Sequence, residues 1–243
     1  MAVEMPSPLR NIGLPNKDRR FMSKHLARDL EYLQRMILTQ AGMVEESIYK
    51  SLSALKNRDA ETAKSVIASD ANIDQLENEV FEECLKILAL HQPVASDLRR
   101  IATVFMINTD LERMGDLAGD IAQRAMALPP AVFDPIPEKL SRMTDLTTGM
   151  VRQSLDAFVN LDARLARRVI RLDDEVDRYN AEIIQELIEK MKSSPELVEP
   201  ALSMFSATRH IERIADHATN IAEDVVYLVE GELVRHKHVE VVD

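Results

Sequence analysis

Slid against itself by 100 residues, this chain matches its own second half. Residues 102–125 and 202–225 share Phe105/Phe205, Glu112/Glu212, Arg113/Arg213, Asp116/Asp216, Ala118/Ala218, Ile121/Ile221 and Ala122/Ala222. At an offset of 103 the preceding segments share Val66/Val169, Ile67/Ile170, Asp70/Asp173, Asp74/Asp177, Glu79/Glu182 and Glu83/Glu186, and at 107 Gly42-Met43-Val44 meets Gly149-Met150-Val151. The offset changes only between matched segments, where a repeat places its insertions. Whatever unit the chain builds, it builds twice.

The unit is helical. Apolar residues recur at three- and four-residue steps, as in Val104, Ile107, Leu111, Met114, Ala118, Ile121 and Ala125, and again in Met204, Ala207, Ile211, Ile214, Ala218, Ile221 and Val225. Breaks at His91-Gln92-Pro93 and Ser193-Ser194-Pro195 separate the second helix of each half from the third, with Ser96 expected as an N-cap. The spacing predicts helices over roughly 20–57, 59–91 and 96–127, then 138–160, 162–192 and 197–230. Short connections make neighbours antiparallel, so the expected fold is all-α: six long helices as two tandem antiparallel three-helix bundles related by an approximate twofold. Helices of roughly 30 residues run about 45 Å, so the molecule is expected to be elongated.

The domain plan follows. Residues 1–19, with Pro6, Pro8 and Pro15, are expected as a loose N-terminal tail before a helix that starts near Asp18 or Ser23. Residues 20–127 form the first repeat and 138–232 the second. The run Leu128-Pro-Pro-Ala-Val-Phe-Asp-Pro-Ile-Pro-Glu138 cannot continue a helix and makes 128–137 the linker. Residues 233–243 close the chain as an exposed tail containing Arg235-His236-Lys237-His238.

Composition narrows the function. Thirty Lys+Arg against 41 Asp+Glu leave a net charge of −11, which repels nucleic acid and anionic membranes on average. No stretch approaches the ~18 uninterrupted apolar residues of a membrane span, and no charged-then-apolar leader opens the chain. The single cysteine, Cys84, excludes an internal disulfide and thiolate zinc sites, and points to the reducing cytoplasm. Six glycines and no GxGxxG or GxxxxGK[ST] pattern argue against nucleotide-binding loops.

The residues with chemical potential are acids. Glu112, Asp116 and Asp120 lie four apart on the third helix, and Glu212 and Asp216 repeat the pattern, with Asn220 replacing the third acid and Asp224 one turn beyond. Asp70 with Asp74, and Asp173 with Asp177, stand at i,i+4 on the second helices, and antiparallel packing can bring them beside the first set. Like charges at this spacing destabilise a helix by roughly 0.2–0.5 kcal/mol per pair unless a cation intervenes. With Leu111 at position a, the third-helix acids fall at b, f and c, on the side away from the bundle core. Oxygen-only clusters suit hard cations: Mg²⁺, Ca²⁺, Mn²⁺ or iron.

Two plainer accounts compete. Such positions are charged in nearly any soluble bundle, and Arg113 and Arg213 can neutralise the acids as salt bridges. Duplication of the dyads in halves that keep only 7 of 24 identities in the third helix favours retention for a purpose. His210 and His217 are expected as surface residues, because the first half has Asp110 and Leu117 there. Arg99 and Arg100 can hold an anion at a helix start or be ordinary solvated arginines, and Cys84 is expected in the core. The Glu-x-x-His motif of a ferritin-like di-iron site is missing from these positions.

The stretch Leu90-His-Gln-Pro-Val-Ala-Ser-Asp-Leu-Arg99, followed by Asp110-Leu-Glu-Arg-Met-Gly-Asp116, resembles the PhoU family, accessory regulators of bacterial phosphate-specific transport, over residues 20 to 232. The resemblance implies E(D)xxxD motifs that hold multinuclear metal clusters, at Asp70, Asp74, Glu112, Asp116 and Asp120 and at Asp173, Asp177, Glu212 and Asp216; the ion is open among Mg, Mn, Fe, Zn and Ca. Asn220 departs from the pattern and implies a weaker or differently occupied second site, helped by Asp224 one turn later. The resemblance also implies a non-enzymatic negative regulator of phosphate uptake and of the phosphate-starvation response. Its partners would be the sensor histidine kinase of the phosphate two-component system and the ATPase subunit of the phosphate-specific ABC transporter, and homodimers are common. No nucleic acid and no direct membrane insertion are expected. The alternatives are a metal-dependent hydrolase or oxidase using the same carboxylates, or a metal-storage or purely structural bundle.

Overall fold

The structure, a computed structural model, describes residues 24–129, 133 and 137–234. The expected N-terminal tail with its helix start, most of the Pro-rich linker and the Arg235 to His238 run lie outside the described residues. The described residues form six long helices: α1 (Lys24–Asn57), α2 (Ala60–His91), α3 (Ala95–Ala127), α4 (Glu138–Asn160), α5 (Ala163–Ser193) and α6 (Val198–Glu230). No strand occurs among the described residues.

Helix direction can be read from the side chains that meet. Asp29 near the start of α1 lies 2.9 Å from His91 at the end of α2, whereas Arg100 at the start of α3 donates to Gln34 of α1. Thus α1 and α3 run parallel with α2 reversed between them. In the second half Lys139 of α4 pairs with Glu182 and Glu186 of α5 at 2.7 and 2.8 Å, and Arg167 of α5 pairs with Glu230 of α6. Both halves are up-down-up bundles.

Equivalent chemistry starts α2 and α5. Asp59 and Asp162, 103 positions apart, are their N-caps, each accepting from the amides two and three residues on. Ser96 is not the cap of α3. Gln92 ends α2 in the left-handed region (φ 45°), Val94 is extended and Ala95, the first residue of α3, is again left-handed (φ 50°), so the reversal ends at Ala95 and Ser96 already sits inside the first turn. The second half makes the same reversal with a short 3-10 turn, Pro195–Leu197, ahead of α6.

The halves meet through α3 against α6 and α1 against α4, the pairings that a twofold relating the repeats requires. Leu111 and Ile211, equivalent by the 100-residue shift, are fully buried. Cys84 is also buried, in the core as expected, and burial pushes its thiol up to about 12. At the α3–α6 seam the polar residues obey the twofold with their chemistry exchanged: Asn220 donates to Asp110 at 3.3 Å, and the equivalent crossing sets His210 3.9 Å from Asp120. His217 Nδ1 also lies 2.8 Å from Asp110. The two histidines expected at the surface are therefore mostly covered, with side chains 16% and 18% exposed, because α3 and α6 are each other's neighbours.

Candidate metal centre

In each half the acids converge where the second helix crosses the third. One carboxylate oxygen from each of Asp70, Asp74 and Asp116 lies within 4.8 Å of the others, and Asp177, Glu212 and Asp216 form the corresponding group. The α2–α3 and α5–α6 pairs therefore hold one cluster each, at equivalent places.

Glycine brings the first pair of helices together. A Cβ on Gly115 would stand 3.2 Å from Ile73 Cδ1 and 3.8 Å from Asp70 Oδ1, and one on Gly119 would stand 4.0 Å from Asp70 Oδ2. Asp70 thus lies over a face of α3 without side chains. The second half has Ala215 and Thr219 at these positions, and Thr219 faces Asp173, the equivalent of Asp70.

This crossing corrects the outward placement of the acids. α3 packs on α1, α2 and α6, which covers most of its circumference, so its b, c and f positions face the groove beside α2. Glu112 is only 22% exposed at its side chain, and Glu212 is buried. Asp116 and Asp120 remain 45% exposed, leaving the groove open to solvent.

Burial and mutual repulsion act on protonation in one direction. Desolvation, followed by the charges of Asp74, Asp116 and Asp120, raises Asp70, and desolvation followed by Asp116 raises Glu112. Desolvation pushes Asp173 up to about 6, reinforced by Asp177 and opposed by Thr219. It also pushes Asp216 to about 6, reinforced by Glu212, Asp173 and Asp177. These carboxylates are held close at a cost in protonation free energy that a bound cation would relieve.

The arginines neutralise the acids only in part. Arg113 reaches Glu112 at 3.5 Å and Asp116 at 3.9 Å from an exposed position. In the second half Arg209, rather than Arg213, binds Glu212, donating to Oε1 at 2.7 Å. Glu212 Oε2 stays buried without a hydrogen-bond partner among the described residues. An all-oxygen donor set with one such acceptor fits a hard cation.

Four expected ligands lie outside these two groups: Glu112 and Asp173 stand beside them and feel their charges, and Asp120 and Asp224 stand farther off. Asp120 acts on Asp70 through its charge but lies at the seam beside His210. Asp224 is buried on α6 and does not join the group of Asp177, Glu212 and Asp216. Asn220 breaks the acidic pattern because it serves Asp110 across the seam. Two residues went unnoticed in the sequence: Glu77, whose charge raises Glu112, and Arg209. Glu77 has Asn180 at the equivalent position and Arg209 has Thr109, so a search for matched pairs passes over both.

The family model described as "PhoU domain" matches residues 37–125 and 140–225, one copy on each bundle. A relative from Pseudomonas putida named "Phosphate-specific transport system accessory protein PhoU homolog" is 39% identical over 88% of this chain and 84% of its own length. Among solved structures, PhoU from Pseudomonas aeruginosa superposes with a TM-score of 0.81 at 36% identity, covering 85% of this chain and all of that one. The phosphate transport system regulatory protein PhoU from Streptococcus pneumoniae gives 0.80 at 32% identity, over 86% of this chain and 99% of that one. Two matched domains on two equivalent bundles, with relatives aligned along most of their length, place the chain in the PhoU family.

Proposed function

We propose that the protein is a negative regulator of phosphate uptake and of the phosphate-starvation response. It would act in the cytoplasm as an adaptor between the ATPase subunit of the phosphate transporter and the partner sensor histidine kinase. The observation that carries this reading is the match of both bundles to the PhoU domain, together with relatives named as accessory proteins of phosphate-specific transport. No helix among the described residues is long and apolar enough to cross a membrane, so action on a transporter would be through docking. Paired helices of 31 to 34 residues, about 50 Å long, offer rigid faces for it. A homodimer is part of the same proposal.

Within this reading Asp70, Asp74 and Asp116 hold one hard cation or cluster, and Asp177, Glu212 and Asp216 another. Glu112 and Asp173 stand beside them as further oxygen donors. The metal supplies positive charge that ties the second helix of each bundle to the third. The chain's own residues set the spacing: Gly115 and Gly119 admit Asp70, and Arg209 fixes Glu212 by one oxygen, leaving the other free to coordinate.

Deleting the gene is expected to derepress alkaline phosphatase in phosphate-rich medium, read as hydrolysis of a chromogenic phosphate ester by whole cells. Unchanged repression would contradict the regulatory reading. The hydrolase alternative differs in needing turnover by purified protein that disappears in E112A and D116A.

A further inference from the structure

α5 carries a line of arginines that the bundle does not use. Arg164, Arg168 and Arg171 are exposed and fall at i, i+4 and i+7, within about a 60° sector and about 10 Å of helix length. Among the described residues no ion pair or side-chain hydrogen bond engages any of the three guanidinium groups. Arg167 at the edge of the sector is occupied by Glu230. In the next turn Glu175 is neutralised by Arg178 at 3.3 Å. Asp162 is engaged by the first amides of α5.

The repeat supplies an internal control. The positions of Arg164, Arg168 and Arg171 in α2 are Glu61, Ser65 and Ala68, yet α2 packs in its bundle as α5 does in its own. The fold therefore places no demand for positive charge there. Three unpaired guanidinium groups in a chain of net charge −11 repel one another, and an external anion would offset that repulsion.

We propose that this stripe is a docking surface for an acidic helical segment of a partner protein, whose carboxylates at i, i+4 and i+7 meet Arg164, Arg168 and Arg171 in turn. Guanidinium and carboxylate pair as planar two-pronged groups, and equal spacing on both helices keeps the three pairs in register. A membrane fits less well. Polybasic membrane-binding segments use four to eight cationic residues, and a broad anionic plane would also meet Glu230 and Asp174 beside the stripe. The proposal stands whether or not the phosphate-regulatory reading holds.

The probe is a fluorescein-labelled alanine-based helical peptide with Glu at i, i+4 and i+7, titrated with the full chain and followed by anisotropy. Wild type is expected to bind it in low salt, with affinity falling as salt rises. R164E/R168E/R171E is expected to bind roughly ten-fold or more weakly, since it replaces three attractive pairs with repulsive ones. A peptide with Lys in place of Glu should restore binding to this variant. The control K64E/K86E/K192E changes net charge equally at exposed sites elsewhere and should stay within about two-fold of wild type. R164E lies in the first turn of α5, where an acid is favourable, and the like charges that R164E and R168E set at i,i+4 are a small cost in a helix held by its bundle, so the variant should fold; R164Q/R168Q/R171Q gives the same test without charge reversal. Equal peptide binding by wild type and both stripe variants would overturn the proposal. So would binding of wild type to phosphatidylglycerol vesicles with no binding to the peptide.

Discussion

Freed of metal by a chelator, the protein is expected to melt at a higher temperature at pH 5 than at pH 7. The sign follows from the carboxylates at the two helix crossings. Asp173 and Asp216 titrate at about 6 in the folded chain, against 3.8 for an ordinary aspartate, and Asp70, Glu112 and Glu212 are raised as well. Between these limits the folded state binds more protons than the unfolded state, so stability is full below about pH 4 and is lost as pH climbs through about 6. His210 opposes this trend, because burial lowers its pKa, but it is one group against five. Asp29, Asp59 and Glu182, whose pKa values are lowered, lose their contribution only under more acid conditions than pH 5.

Millimolar Mg²⁺ or Mn²⁺ is expected to reverse the slope, since coordination needs the deprotonated carboxylates. A cation at a hundred times its dissociation constant adds about 2.7 kcal/mol per site, or roughly 5–10 °C in melting temperature for a chain of this size. Thermal melts at the two pH values, with chelator and with cation, check both statements. A melting temperature that rises from pH 5 to pH 7 in chelator and ignores the cation would contradict them.

The second large effect concerns the core. Leu111→Ala and Ile211→Ala each empty a fully buried site at equivalent points of α3 and α6. Each is expected to cost about 2–5 kcal/mol, from lost transfer energy and the cavity left behind. Their neighbours are equivalent in position but not in identity, since the third helices keep only 7 of 24 residues, so each loss is set by its own site. Leu202→Ala, at a position 54% exposed, should change stability by no more than about 0.5 kcal/mol. Denaturant unfolding of the three variants decides the matter: a loss below about 1 kcal/mol in either buried variant would deny that these positions anchor the cores of the two bundles.

Most of the fold was legible because a repeat states each helix twice. The a/d seam around Leu111 and Ile211 and the Pro-marked breaks each appear in both copies, and errors stayed at helix edges such as Ser96, where the left-handed Gln92 and Ala95 decide the start. The site was legible in its members and less so in its geometry. Spacing placed Glu112, Asp116 and Asp120 on one stripe. It carried no information on how much of α3 its neighbours cover, and so set the stripe outside when it lies in a groove. The polar seam was harder still. His210, His217 and Asn220 look like decay of the repeat when the halves are aligned, and they become complementary to Asp120 and Asp110 only once α3 is packed on α6. Glycines 115 and 119 were visible as letters, but their role depends on Asp70, which approaches from another helix.

The central proposal is that each bundle holds a hard cation between its second and third helices. Elemental mass spectrometry on protein purified without chelator tests it most directly. Wild type is expected to carry bound cations, D116A and D216A to lose those of one bundle each, and the folded quadruple variant E112A/D116A/E212A/D216A to carry none. Wild type free of metal at near-physiological cation concentrations, or a quadruple variant that keeps its full complement, would contradict the claim.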